Sequence, residues 1–88
     1  LIILNLRSIK MEEFVPDHVV DVRGLQCPLP VLKTEKMLDS LHSGETMKII
    51  TTDPATKRDI PALLERLGDE LLKIEEEEDI ISFLIRKR

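Results

Sequence analysis

Residues 24–30 read Gly24-Leu25-Gln26-Cys27-Pro28-Leu29-Pro30, and the apolar stripe of a helix begins directly behind them. Two prolines one residue apart are hostile to a helix interior. They are harmless in a first turn, whose N–H groups have no intrahelical partner. The spacing therefore predicts a helix over 28–41 with Cys27 as its N-cap and Pro28 and Pro30 at its first and third positions. Val31, Thr34, Leu38 and Leu41 fall on one face, Met37 lies at its margin, and Lys33, Glu35 and Lys36 lie outside it. His42-Ser43-Gly44 supplies the stop, with Gly44 suited to a left-handed cap.

On the N-terminal side, His18-Val19-Val20-Asp21-Val22 is a short β-branched strand that Gly24 ends. On the C-terminal side, 47–52 reads as the next strand, with Ile49 and Ile50 at its centre. A continuous helix from 54 to 67 would hold Pro61 in its interior at a cost of about 3 kcal/mol. The expectation is instead a turn after Asp53 and a helix restarting behind Asp59, with Asp59 as N-cap and Pro61 in the first turn. Ile60, Leu63, Leu64 and Leu67 form its stripe and Gly68 terminates it. Residues 70–75 and 80–86 read as a closing hairpin, with the acidic run Glu75 to Asp79 at its turn. The order is βαβαββ, an α+β two-layer sandwich with two helices on one face of a four-stranded mixed sheet. The other sheet face is left open to solvent or to a partner.

A chain of 88 residues is one domain, with a single core and no room for a large buried substrate cavity. We expect residues 16–88 to form that domain and residues 1–15 to be an N-terminal extension, non-native or partly disordered. Leu1 to Lys10 reads either as upstream sequence or as a natural N-terminal segment. The longest apolar run is four residues, Leu1 to Leu4, against the ~20 that a membrane span needs. Seventeen acids against thirteen bases give a net charge of −4, the wrong sign for a non-specific grip on nucleic-acid phosphates. Phe14 and Phe83 are the only aromatics, so base stacking has little to work with. Neither a membrane nor a direct nucleic-acid partner is expected.

Cys27 is the only cysteine. It cannot form an internal disulfide, a CxxC redox pair or a thiolate-rich zinc site. With no secretory leader visible, the expectation is a reducing, cytoplasmic setting. A residue between a glycine turn and a proline-locked helix start lies at a loop tip, which favours an exposed, reactive thiol over a buried apolar one. At a helix N-terminus a thiolate faces the positive end of the dipole and the N–H groups of Leu29 or Val31. Arg23 and Lys33 are further candidate cations, while Pro28 and Pro30 remove two donors, so the expectation is a moderately lowered thiol pKa. A thiolate with no acid, base or resolving group of its own suits accepting a group from one protein and passing it to another.

Taken with Asp53-Pro54-Ala55-Thr56, Arg58-Asp59-Ile60-Pro61 and the closing Phe83-Leu84-Ile85-Arg86-Lys87, the Cys27-Pro28-Leu29-Pro30 motif resembles that of the TusA/SirA-like sulfur carrier proteins, over about Asp17 to Arg86. The resemblance implies a βαβαββ sandwich with no cofactor. It implies that Cys27 carries sulfane sulfur as a persulfide, in a loop positioned by Gly24, Pro28 and Pro30. The donor is then a cysteine desulfurase or a rhodanese-like protein, and a downstream acceptor protein takes the sulfur on. The routes served by such proteins are tRNA thiolation, cofactor biosynthesis and sulfur trafficking. Leu29, Asp53 and Arg58 border the implied docking surface. Many tRNA-pathway members carry glutamate between the two prolines, so Leu29 is a departure that bears on that pathway more than on sulfur transfer.

Other constellations read blandly. His18 and His42 lack a paired ligand spacing, so no metal site is expected. Arg86-Lys87-Arg88 is too short a basic cluster to indicate RNA contact. Leu29 and Leu32 fall off the helix's core stripe and form either an apolar rim around the thiol or peripheral core. The alternatives to a sulfur carrier are a non-catalytic regulatory or RNA-binding module and a thiol redox sensor.

Overall fold

The computed structural model describes residues 15–88, so the extension expected over 1–15 lies, but for Val15, outside the described residues. Six elements follow in chain order: β1 (His18–Asp21), α1 (Leu29–Ser40), β2 (Thr46–Thr51), α2 (Thr56–Leu67), β3 (Glu70–Glu77) and β4 (Ile80–Arg86). They form one four-stranded sheet in the order β1-β2-β4-β3. β1 runs parallel to β2, and both β2 and β3 pair antiparallel with β4. This is the βαβαββ mixed-sheet sandwich that the periodicities imply.

Alternation along the strands decides which face is covered. Met47 and Ile49 of β2 and Ile81, Phe83 and Ile85 of β4 are all at most 2% exposed. They form one cluster with Leu38 and Leu41 from the first helix region and Ile60 and Leu64 from α2. The residues between them, Lys48, Ile50, Ser82 and Leu84, turn to the other face and stay partly accessible. Registers such as Ile49 opposite Phe83 put apolar side chains opposite one another, and a slip of one residue would turn this set to solvent.

Three local expectations need correction. First, α1 begins at Leu29 with Pro28 as N-cap, so Cys27 stands one residue outside the cap and Pro30 is at the second helical position. Pro28 carries no capping side chain. The turn closes instead through Leu29 N–H to Gln26 O (2.9 Å) and Leu32 N–H to Pro28 O (3.0 Å). Its C-cap is Leu41 in an extended conformation, and Gly44 serves the following turn.

Second, α2 is continuous from Thr56 and keeps Pro61 inside it, with Asp59 in the first turn rather than at the cap. The helix is started from outside. Asp53 Oδ1 accepts Ala55 N–H at 3.0 Å, and Asp53 O accepts Thr56 N–H at 3.0 Å and Thr56 Oγ1–H at 2.6 Å. Ile60, Leu63 and Leu64 are at most 2% exposed. At roughly 1.5–3 kcal/mol for each buried side chain, that face outweighs the ~3 kcal/mol proline penalty. The N-cap itself is Ala55, and Asp53-Pro54 form the turn ahead of it rather than the cap. Gly68 closes the helix in the left-handed region at φ 81°. Third, β3 extends through Glu77, so the turn consists of Glu78 and Asp79, with Glu78 at φ 57°.

Candidate functional site

Parallel pairing places the C-terminal ends of β1 and β2 at the same sheet edge, so the loops leaving them and the starts of both helices lie side by side. The cysteine loop is held by the residues that follow β2. Val22 is buried, and its N–H extends the ladder to Ile50 O at 2.8 Å. Gly24, at φ 84°, turns the chain, and its N–H donates to Thr52 Oγ1 at 2.9 Å. Cys27 N–H then donates to Asp53 Oδ2 at 2.7 Å. Asp53 thus uses one carboxylate oxygen on the cysteine loop and the other on the start of α2.

Cys27 is exposed, as the loop-tip reading expects. Its Sγ–H donates to Asp59 Oδ2 at 3.7 Å, while Asp59 Oδ1 accepts from Arg58 Nε at 3.2 Å. The sulfur sits on a ridge between two depressions. One is lined by Gly24, Leu25, Gln26, Thr52, Asp53 and Pro54. The other lies between the helices and is lined by Pro28, Val31, Asp59, Ala62, Leu63 and Arg66. Leu29 (45% exposed) and Leu32 (53%) lie outward on α1, forming a rim rather than core. Pro30 is buried and its carbonyl accepts from Thr34 Oγ1 at 2.7 Å, which anchors the proline turn.

The electrostatics reverse the expectation of a lowered thiol pKa. Partial desolvation by its neighbours pushes the Cys27 thiol up, the Asp59 carboxylate pushes it further by charge and by accepting its hydrogen bond, and Asp53 adds to this; Arg58 opposes them. The proline turn limits what the helix start can offer in return. Pro28 and Pro30 have no N–H, and that of Leu29 is engaged by Gln26 O. Arg23 is not a partner of the sulfur either. Its guanidinium forks onto Asp21 at 2.9 and 2.7 Å, which holds the Asp21 carboxyl down at about 2.

Of the residues singled out from sequence, Gly24, Cys27, Pro28, Leu29, Pro30, Asp53 and Arg58 gather at this one edge. His18 and His42 do not: each lies 3.5 Å from a Glu45 carboxylate oxygen, and His18 opens β1, at the end of the strand away from the cysteine loop. Backbone donation from His42 and contact with His18 keep the Glu45 carboxyl below its ordinary range. Sequence reasoning missed Asp59 as a neighbour of the thiol. The signal was present in the Arg58-Asp59-Ile60-Pro61 block, but the proline rule directed that aspartate to a cap. Among the described residues no group of three His, Cys, Asp or Glu side chains is placed to hold a metal, and no helix is long and apolar enough to cross a membrane.

Fold and site together define a small α+β protein that presents one accessible thiol and carries no second cysteine to resolve it. The family described as Sulfurtransferase TusA matches residues 18–87. The chain is 42% identical over 78 residues to the sulfur carrier protein TusA of Pseudomonas putida (strain GB-1), covering 89% of this chain and 98% of that one. It is 39% identical over 71 residues to the sulfur carrier protein TusA of Allochromatium vinosum, covering 81% and 93% respectively. A SirA-like protein from Desulfitobacterium hafniense superposes with a TM-score of 0.70 at 21% identity, over 78% of this chain and 95% of that chain, a likeness of fold. The chain belongs to the TusA family of sulfur carrier proteins.

Proposed function

We propose that Cys27 is the sulfur-bearing residue, and that the protein accepts sulfane sulfur there as a persulfide and relays it to an acceptor protein. The observation that carries this reading is the exposed thiol of the only cysteine in the chain, held at the start of α1 by a backbone bond to Asp53. Residues 16–88 are the carrier domain, working in the cytoplasm without a cofactor. Gly24, Pro28 and Pro30 set the loop. Leu29, Asp53 and Arg58 border the surface on which a cysteine desulfurase or rhodanese-like donor, and then the acceptor, docks. The exposure of Leu29 (45%) suits such a contact. The sulfur serves tRNA thiolation, cofactor biosynthesis or sulfur trafficking.

Transfer needs no oxidant. The Cys27 sulfur attacks the terminal sulfur of a donor persulfide, the new S–S bond forms as the donor's breaks, and the proton lost by Cys27 ends on the departing donor thiolate. Incubation with a cysteine desulfurase and cysteine is expected to add one sulfur, about 32 Da, removable by a thiol reductant. No gain in the wild type, or an undiminished gain in Cys27→Ser, sinks the proposal.

A further inference from the structure

The hydrogen bonding of the unloaded sulfur is one-sided. Among the described residues its partner is Asp59 Oδ2, and an ionised carboxylate can only accept. Cys27 can therefore keep that bond only while it keeps its proton. Most of the nearby groups that could hold a thiolate instead are missing or engaged. Pro28 and Pro30 offer no N–H, Leu29 N–H goes to Gln26 O, and Cys27's own N–H goes to Asp53. The charged groups around the sulfur come from three elements. Asp53 follows β2, Arg58, Asp59 and Arg66 come from α2, and Glu35 on α1 faces Arg66 at 3.9 Å. Arg58, the cation next to Asp59, is directed at Oδ1 of that carboxylate and is 83% exposed at its side chain.

We infer that Asp59 is a positioning residue that latches the unloaded Cys27 as a thiol turned toward the groove between α1 and α2, protecting the sulfur from small electrophiles until a sulfur donor engages it. The inference rests on the assignment of Cys27 as the sulfur carrier and adds to it a control over when the sulfur reacts. Loading itself releases the latch. In the persulfide, Sγ carries a second sulfur in place of the proton, so it no longer has a hydrogen to donate to Asp59 Oδ2. A deprotonated persulfide has no hydrogen at either sulfur, so the carboxylate then repels the loaded sulfur instead of holding it. The direction of the thiol's titration shift agrees with this geometry.

The test is the pH dependence of Cys27 alkylation by iodoacetamide, a neutral probe, measured on the full chain without any sulfur donor. Asp59→Asn has the same shape but no charge, and its titration midpoint is expected to fall by half a pH unit or more, about a threefold gain in thiolate fraction below the midpoint. The rate at neutral pH rises by less, because a less basic thiolate is a weaker nucleophile. Arg58→Gln removes the opposing cation at an exposed site and is expected to move the midpoint upward. An unchanged or raised midpoint in Asp59→Asn, with native circular dichroism, overturns the latch. If Asp59→Asn does not fold, an unchanged or lowered midpoint in Arg58→Gln overturns it. Sulfur loading by a desulfurase is read separately as added mass, so the latch and the carrier assignment can fail independently.

Discussion

Asp53 Oδ2 accepts the backbone N–H of Cys27 at 2.7 Å across 26 residues of sequence. With Oδ1 on Ala55 N–H, this one carboxylate connects the cysteine loop to the start of α2. Replacing it with alanine removes both bonds, one of them a helix-start bond. Asp53→Ala is expected to cost about 2 kcal/mol, since caps and bonds to charged groups each contribute on the order of 1–2 kcal/mol. Urea unfolding checks this as a lower midpoint with an unchanged slope. The same variant is expected to load sulfur more slowly, because the loop loses its anchor.

Cys27→Ser is expected to abolish loading while leaving stability within about 0.5 kcal/mol of the wild type, as is usual for an exposed position. The substitution keeps a donor for Asp59. A large loss of stability on thermal unfolding would show that the sulfur packs against the fold rather than standing clear of it.

Gly68 caps α2 at φ 81°, and a Cβ there would meet Arg88 Cδ and Nε at 3.2 Å. The arginine side chain can move aside, whereas the left-handed backbone cannot be relieved without opening the cap. Gly68→Ala is expected to destabilise the protein by about 1–2 kcal/mol, measured as a shift in the denaturant midpoint. Persulfide loading at Cys27 is expected to be unaffected.

The Asp21 carboxyl, bonded by the Arg23 side chain and backbone, titrates at about 2. Because its folded value lies below the ~3.9 of an unfolded aspartate, the pair's stabilisation is present above pH ~4 and is lost as pH falls through about 2. Exposure to solvent keeps that contribution small. Asp21→Asn is expected to flatten the acid limb of a Tm-against-pH profile over that window and leave the neutral plateau nearly unchanged.

Strand and helix order were legible because burial of one face leaves a period in the chain. Ile81, Phe83 and Ile85 alternate with Ser82 and Leu84, and Ile60, Leu63 and Leu64 recur at helical spacing. The start of α2 was misplaced because a proline in a helix carries a local penalty, while the compensating burial of its apolar face is set by distant strands. The cap of α1 was displaced by one residue for a related reason. Spacing says that two prolines belong near a first turn but does not say which residue closes it.

The chain's own order of residues determined the alternation that makes the sheet, the helical stripes that cover one side of it, and the presence of a single cysteine before a proline-rich helix start. These are properties of neighbours in sequence, set by local geometry and by the burial of apolar side chains. Only the folded arrangement decided what the sulfur faces. Parallel pairing of β1 with β2 brings Asp53 and Asp59 to Cys27, and charge and hydrogen bonding act over distances in space, not along the chain. For that reason the direction of the thiol's pKa shift emerged from the tertiary contacts, against what the helix start alone suggests.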